Sequence, residues 1–253
     1  MNSIDMNKTI KWILIGIVSI VVVLGIFMGG FYFKMKSEIK KMNVVETSQI
    51  APNVFAIKDS FVNMYLVKDS DNYVAIDAGS DIKAIGKELE TLRVDPEKIV
   101  AVVLTHTDGD HVAALRLFKN ATVYLSKDEE QMINGKRAKM LFFHNKISAT
   151  KYNVLDDQQT IHVGNVTIKG IMTPGHTPGS MSYVVNDKYL FVGDAFGLNN
   201  GKIDKPNKFF SGDMHTAIMS FQKINNLQGV EYIFTAHNGF TNDYKKAINT
   251  ELK

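Results

Sequence analysis

Four short polar clusters carry the residues of this sequence that are equipped for chemistry. They are THTDGDH (105–111), TPGHTPGS (173–180), VGDAF (192–196) and TAHNG (235–239). Each follows a β-like apolar run; the first comes directly after Ile99–Leu104. Loops at strand ends, held by a rigid sheet, are where binding and catalytic groups concentrate. Any one cluster alone is ordinary. A lone histidine is more often a satisfied or solvent-facing residue than a ligand, and an aspartate after glycine is usually a turn. Three histidine-bearing turns and one Gly-Asp turn together point instead to a metal site. Imidazole and carboxylate suit zinc, iron or manganese, and such a set requires no sulfur. The sequence has no cysteine, which excludes thiolate ligands, a thiol nucleophile, a disulfide framework and a lipidated cysteine near the N-terminus.

In this order the clusters resemble the metallo-β-lactamase-fold superfamily of metallohydrolases, over roughly residues 44–245. The usual first motif there is H-x-H-x-D-H. Here it reads His106-Thr107-Asp108-Gly109-Asp110-His111, with Asp108 in place of the second histidine. Later motifs match at His176, Asp194 and His237, and AIDAGS (75–80) matches an early Asp-Gly element. The resemblance implies two divalent metal ions. His106, Asp108 and His176 would hold one, Asp110, His111 and His237 the other, and Asp194 would bridge both. Two such ions share a water and lower its pKa toward neutrality. The resemblance implies that such ions would activate the water toward a carbonyl or phosphoryl centre and polarise the substrate oxygen, so no protein nucleophile would be required. Asp110 is expected to be catalytic as well, orienting the water and receiving a proton. Asp77 is expected outside the ligand set, orienting ligands by hydrogen bonds; the alternative is a capping or turn aspartate. Gly175 and Gly179 let the backbone pass close to the site. His144, His162 and His215 match no motif; His162 is expected to face solvent, and His144 and His215 lie in regions that could border the cleft without being expected to touch substrate.

Carboxylates at the position of Asp108 occur within the superfamily. The metallo-β-lactamase-like domain of bacterial DNA-uptake channels resembles H-x-D-x-D-H, and flavodiiron oxygen reductases resemble H-x-E-x-D-H with two irons. Asp108 makes the first position harder and more anionic, which favours manganese or iron over a simple dizinc site. The alternative is a first metal position that is weak or empty.

The elements that must position these residues are punctuated like an α/β domain. Strands are expected at Val44–Ile50, Val54–Ile57, Met64–Val67, Tyr73–Ile76, Ile99–Leu104 and Thr122–Leu125. A β-rich run follows at Thr160–Val163, Val166–Ile171, Ser182–Asn186 and Tyr189–Val192, with VGN and NDK as hairpin turns, and a last strand at Glu231–Thr235. Ile82, Ile85, Leu89 and Leu92 recur three to four apart, which predicts an amphipathic helix with Asp81 at its start. Shorter helices are expected at Val112–Phe118 and Lys127–Met132, and longer ones at Met214–Asn226 and Asp243–Leu252; residues 133–150 are the least legible, a lid or insertion. The expected architecture is the αββα sandwich of the metallo-β-lactamase fold over residues 44–253.

A different kind of segment precedes it. Ile10 to Phe33 is apolar, small or aromatic apart from Lys11, with Trp12 and Tyr32 near its two ends. About 20 such residues span a bilayer, and interfacial aromatics belong at the ends of a span. Residues 1–9 are thus read as a tail, 10–33 as one transmembrane helix and 34–43 as a polar stem. The alternative is a cleaved signal peptide, but no A-x-A-like site follows. Lysines flank both ends of the span. The short tail before it points to the outer face of the cell membrane. Of 29 basic and 26 acidic residues, six lysines and two acids (Asp5 and Glu38) lie in residues 1–41, leaving 23 basic against 24 acidic groups. A near-neutral globular part with only three arginines gives no strong signal for nucleic acid.

The sequence therefore supports a membrane-anchored metal-dependent hydrolase acting on a small molecule or phosphodiester. The reacting bond is an ester, thioester, lactone, amide or phosphodiester, and protein partners are left open by the sequence. Two other classes compete: a diiron redox protein with a flavodiiron-like site, and a metal-dependent binding or sensor domain without turnover. Too few residues follow the last motif for a flavodoxin-like domain, or for the extra helical domain of glyoxalase II-like enzymes.

Overall fold

The computed structural model describes residues 6–138, 144–149 and 151–252. The chain forms two compact units, residues 1–41 and residues 42–253. The first is one helix, α1 (Met6–Ile39), whose stretch Lys8–Ile39 is long and apolar enough to cross a membrane, with a mean hydropathy of 2.7. The helix runs on through most of the expected polar stem. Lys34 and Glu38 stand one turn apart and pair at 2.7 Å, and no glycine or proline interrupts residues 34–39.

The second unit stacks two sheets. In the first, β1 (Ser48–Ala51), β2 (Val54–Asp59), β3 (Val62–Asp69) and β4 (Asn72–Ile76) are antiparallel; β4, β5 (Ile99–Val103), β6 (Thr122–Ser126) and β7 (Tyr152–Leu155) are parallel. In the second, β8 (Thr160–Val163), β9 (Val166–Met172), β10 (Met181–Val185) and β11 (Tyr189–Phe191) run antiparallel in sequence order. A small ribbon of β12 (Gly197–Asn199) and β13 (Lys202–Asp204) follows, and the second sheet is completed by β14 (Tyr232–Phe234), parallel to β11, and β15 (Phe240–Thr241).

Strand periodicity sorts side chains into layers. Ala56, Tyr65, Val67, Val74, Ile76, Ala101 and Val103 pack against Ile168, Tyr183, Val185, Phe191 and Phe234 between the sheets. Their strand neighbours Ile57, Met64, Leu66, Ala75 and Val102 face the other way, onto Ile85 and Leu89 of α2 (Ile82–Thr91) and Val112 of α3 (Gly109–Val112). Beyond α3 comes α4 (Glu130–Ile133). On the far side of the second sheet, Val184, Leu190 and Ile233 meet Phe221 and Ile224, which follow α5 (Met214–Ser220), and Tyr244 and Ala247 of α6 (Tyr244–Ile248). The result is the αββα sandwich.

Differences from the expected elements are local. The first strand begins at Ser48 rather than Val44, because Val45 is already engaged by the Asn63 side chain at both its N–H and its C=O. Residues Ala113–Leu117 are a 3-10 turn rather than α-helix, and α5 tightens to 3-10 after Ser220. The closing helix stops at Ile248. Short edge pieces β7, β12, β13 and β15 are too brief to carry a periodic signal.

Topology gathers the chemistry. β4 and β5 are parallel, and β9, β11 and β14 share one direction. The turns after these five strands hold Asp77, residues 105–111, His176, Asp194 and His237 respectively.

Candidate metal centre

Seven side chains converge in two overlapping clusters. In the first, Asp108 Oδ2 lies 3.1 Å from His176 Nε2 and 3.5 Å from His106 Nε2. In the second, Asp110 Oδ2 lies 3.5 Å from His237 Nε2 and 3.8 Å from His111 Nε2. Asp194 belongs to both. Its Oδ1 is 3.1 Å from His237 Nε2 and 3.3 Å from His111 Nε2, and its Oδ2 is 3.5 Å from His176 Nε2. The structure thus brings together every residue proposed from the sequence as a ligand.

These spacings suit cations. Atoms on a tetrahedral shell of about 2.0–2.2 Å radius lie roughly 3.3–3.6 Å apart, and the separations between clustered atoms centre on that range. His106 Nε2, His111 Nε2 and Asp194 Oδ1 are buried without a hydrogen-bond partner. A buried polar atom left unsatisfied costs about 1–3 kcal/mol, and three of them aimed into one cavity fit bound metal. The electrostatics agree. Burial pushes the Asp194 carboxyl up, but the imidazoles of His237, His111 and His176 outweigh it and hold the group well below the usual carboxylate range. Burial alone would lower His111; Asp110, Asp77 and Asp194 outweigh it and raise the imidazole well above its ordinary value. His237 is raised against its burial too, chiefly by Asp194. Metal-free, the cavity holds on to protons that a cation would displace.

Asp77 stands behind the clusters. It sits at a left-handed φ of 62° directly after β4, a conformation aspartate tolerates better than most residues. Its Oδ2 takes the His111 Nδ1 proton at 2.9 Å and the Thr105 hydroxyl proton at 2.8 Å, and its Oδ1 accepts from Thr105 N–H. Because the Thr105 proton is committed to Asp77, its oxygen accepts from His106 Nδ1 at 3.1 Å. One carboxylate therefore orients two imidazoles, His111 directly and His106 through Thr105, so that in the neutral, ligating form both Nε2 lone pairs face the cavity. His237 Nδ1 donates to the Phe61 carbonyl at 2.7 Å, and the two rings stack.

Asp108 occupies the N-cap position of α3, yet its carboxylate makes no cap hydrogen bond. Asp81, Asp213 and Asp243, at the same position before α2, α5 and α6, all do. Asp108 is turned toward the histidines instead.

The ligand turns are propped by groups that sequence reasoning did not single out. Buried Tyr183 donates to Leu104 C=O at 2.8 Å and buried Tyr65 to Thr235 C=O at 2.6 Å. Glu129, fully buried, takes Thr107 N–H and Thr107 Oγ1–H on one oxygen and Thr177 Oγ1–H on the other. It ties turn 105–111 to turn 173–180. In sequence it lies within Asp128-Glu129-Glu130, which reads as a solvated charge run; nothing there marks the middle acid as buried. A Cβ on Gly179 would stand 2.0 Å from Glu129 N, and one on Gly175 2.4 Å from Ala217 Cα. These glycines thus serve close packing around the site rather than approach to the ligands themselves. His162, His144 and His215 are all exposed, and none joins the clusters.

The metallo-beta-lactamase superfamily model matches residues 57–248. The chain belongs to that superfamily. Among curated relatives, a probable polyketide biosynthesis zinc-dependent hydrolase of Bacillus subtilis is 33% identical over 136 residues, covering 51% of this chain and 53% of that protein. A probable metallo-hydrolase of Methanocaldococcus jannaschii is 30% identical over 162 residues, covering 64% and 67%. The chain spans about half the length of the first curated relatives it matches. Among solved structures, a B3 metallo-β-lactamase described as having an active-site glutamic acid superimposes with a TM-score of 0.65 at 18% identity, covering 84% of this chain and 88% of that one. At that identity the likeness establishes the metallo-β-lactamase fold. Fold and donor set together imply divalent metal ions.

Proposed function

We propose that the protein is a membrane-anchored hydrolase with a dinuclear centre. His106, Asp108 and His176 hold one ion, Asp110, His111 and His237 the other, and Asp194 lies between them. The observation that carries this reading is the Asp194 carboxylate, which turns one oxygen to each cluster. When bound, the ions supply Lewis acidity and bring the pKa of a shared water toward neutrality. The chain does the rest. Asp77 and Phe61 C=O keep the second-cluster imidazoles in the ligating tautomer. Asp110, the most exposed of the three clustered aspartates, faces the cleft and is suited to accept a proton from water. The bond cleaved is an ester, thioester, lactone, amide or phosphodiester. The zinc-dependent relative supports zinc. Asp108 supplies a harder, anionic donor than histidine and supports manganese or iron at the first position.

The α1 segment is read as a single-pass anchor, supported by its length, its hydropathy and its end-placed Trp12 and Tyr32. A catalytic domain on the outer face of the membrane is part of this proposal. Deleting residues 1–41 is expected to release the chain from the membrane fraction without loss of hydrolysis. External protease acting on intact cells tests the face.

The decisive experiment is metal analysis of the full chain, purified without affinity metals, followed by ester, thioester, lactone, amide and phosphodiester substrates with the retained metal. About two equivalents and turnover of one class are expected. A diiron redox centre is the second reading, favoured by Asp108. A diiron Mössbauer signal without hydrolysis would select it.

A further inference from the structure

The segment 144–149 brings Asn145 against the first cluster. Its Nδ2 lies 3.0 Å from Asp108 Oδ1 and 3.1 Å from Thr107 Oγ1. An ionised carboxylate only accepts, so the amide nitrogen is the atom that faces it. The two N–H groups then have two acceptors. Thr107 passes its own hydroxyl proton to Glu129 Oε1 at 2.7 Å, and the other Glu129 oxygen takes the Thr177 hydroxyl proton at 2.6 Å. The Asn145 amide thus reaches the Asp108 carboxylate directly and the Glu129 carboxylate through the Thr107 hydroxyl. With Oδ1 engaged by Asn145, Asp108 presents Oδ2 to His176 and His106.

We propose that Asn145 is a positioning residue that holds Asp108 as a one-oxygen metal ligand, and that it is matched to a carboxylate at 108 rather than to an imidazole. The proposal rests on reading the clusters as a metal centre. A ligating imidazole presents its outer N–H and requires an acceptor there. Asn145 cannot supply one by turning over its amide. That would set its oxygen against Thr107 Oγ1, whose proton is committed to Glu129. The sequence-level exchange of histidine for aspartate at 108 thus has a structural counterpart some 40 residues later.

The test uses the full chain in detergent. Zinc and manganese are titrated against a competing chelator, with the electron paramagnetic resonance spectrum of bound manganese as a second readout. Four proteins are compared: native, Asn145→Ala, Asp108→His and the double variant. Asn145→Ala is expected to weaken one of the two equivalents about 10–100-fold, the usual size for losing a partner of a ligand, and to alter the manganese spectrum. The other equivalent stays, and the metal-free melting temperature is unchanged. Asn145→Asp, which sets two carboxylates together, weakens the same equivalent further. On the Asp108→His background, Asn145→Ala changes affinity by less than about threefold, so the two substitutions couple strongly. Native affinity in Asn145→Ala, or the same loss on both backgrounds, overturns the assignment. So does an equal loss of both equivalents with a lowered metal-free melting temperature, which would make Asn145 merely structural. A native chain that binds no divalent metal overturns the metal-centre reading and this proposal with it. Two equivalents in the native chain with indifferent variants overturn only the role of Asn145.

Discussion

The two halves of the centre are braced by different chemistry. In the second half, each imidazole gives its outer proton to a strong, fixed acceptor: His111 to the Asp77 carboxylate at 2.9 Å, His237 to a backbone carbonyl at 2.7 Å. In the first half the outer partners are hydroxyls. His106 meets Thr105 Oγ1 at 3.1 Å and His176 meets Ser211 Oγ at a long 3.4 Å. A carboxylate partner raises the basicity of a ligating imidazole more than a hydroxyl does. The second half thus pairs both imidazoles with fixed acceptors, and the Asp77 carboxylate makes His111 the more basic donor. The first relies on the charge of Asp108 and on side-chain ties through Thr107 and Glu129. If the proposed dinuclear reading holds, the second position is expected to retain its ion and the first to exchange it.

The largest effect should come from removing what the halves share. Asp194→Ala is expected to lose hydrolysis by more than about 100-fold with the fold retained, because both ions are needed to activate water. Near-native turnover in that variant removes the dinuclear mechanism. Next in size, His176→Ala and His237→Ala should each lower bound metal by about one equivalent, the expected result of deleting one imidazole ligand. The asymmetry sharpens the expectation. His237→Ala empties the position that retains metal under dialysis, His176→Ala the one that exchanges. Unchanged stoichiometry in both means that the clusters are not ligand sets.

How much of this was legible in sequence follows from what each signal encodes. MYLVKD and YVAI (residues 64–69 and 73–76) hold short apolar runs bounded by turn residues, which makes buried strands readable; both faces are buried, so which side chains enter the inter-sheet layer is not readable from them. The four polar clusters are readable because each follows a strand, and the seven residues within them are assigned as ligands by their match to the superfamily's motifs. Asp77 is readable as a candidate, but its hold on both His111 and Thr105 depends on a left-handed backbone that AIDAGS only permits. Glu129 and Asn145 are illegible for a simple reason. Their partners lie 22 to 48 and 37 to 38 residues away in sequence, and neither sits in a periodic or motif context. The short strands β7, β12, β13 and β15 are not readable, whereas the equally short edge strand β8 is, because a hairpin turn and the strand β9 follow it directly.

A smaller effect separates the metal-free and metal-loaded states through pH. In the metal-free protein His111 and His237 have raised pKa values. A raised folded-state value contributes stability that is complete below the unfolded value of about 6.5 and is lost as pH rises through the folded value. Metal binding has the opposite sign, because the cation requires neutral imidazole and competes better as pH rises. The metal-free chain should therefore melt lower as pH is raised from about 6.5, while the gap to the metal-loaded chain widens by a few degrees, the shift expected for about 1 kcal/mol in a domain of this size. A gap independent of pH would mean that the raised imidazoles are not where the cations bind.

The finest distinction concerns selectivity at the first half. Asp108 lies two residues after His106 and two before Asp110, and declines the cap bond that the three other aspartates at helix starts all make. Asp108→His removes one negative charge and replaces a hard oxygen donor with nitrogen. The altered position should shift toward zinc relative to manganese or iron by about tenfold, the change that 1.4 kcal/mol of altered donor preference produces. The second half, whose ligands are untouched, should keep its preference. Competition between zinc and manganese in the native and Asp108→His chains measures both positions at once. If preference and stoichiometry are the same in both proteins, Asp108 is a bystander and the first ion is held by His106, His176 and Asp194 alone. If both positions shift together, the halves are coupled through Asp194 more strongly than their separate bracing implies.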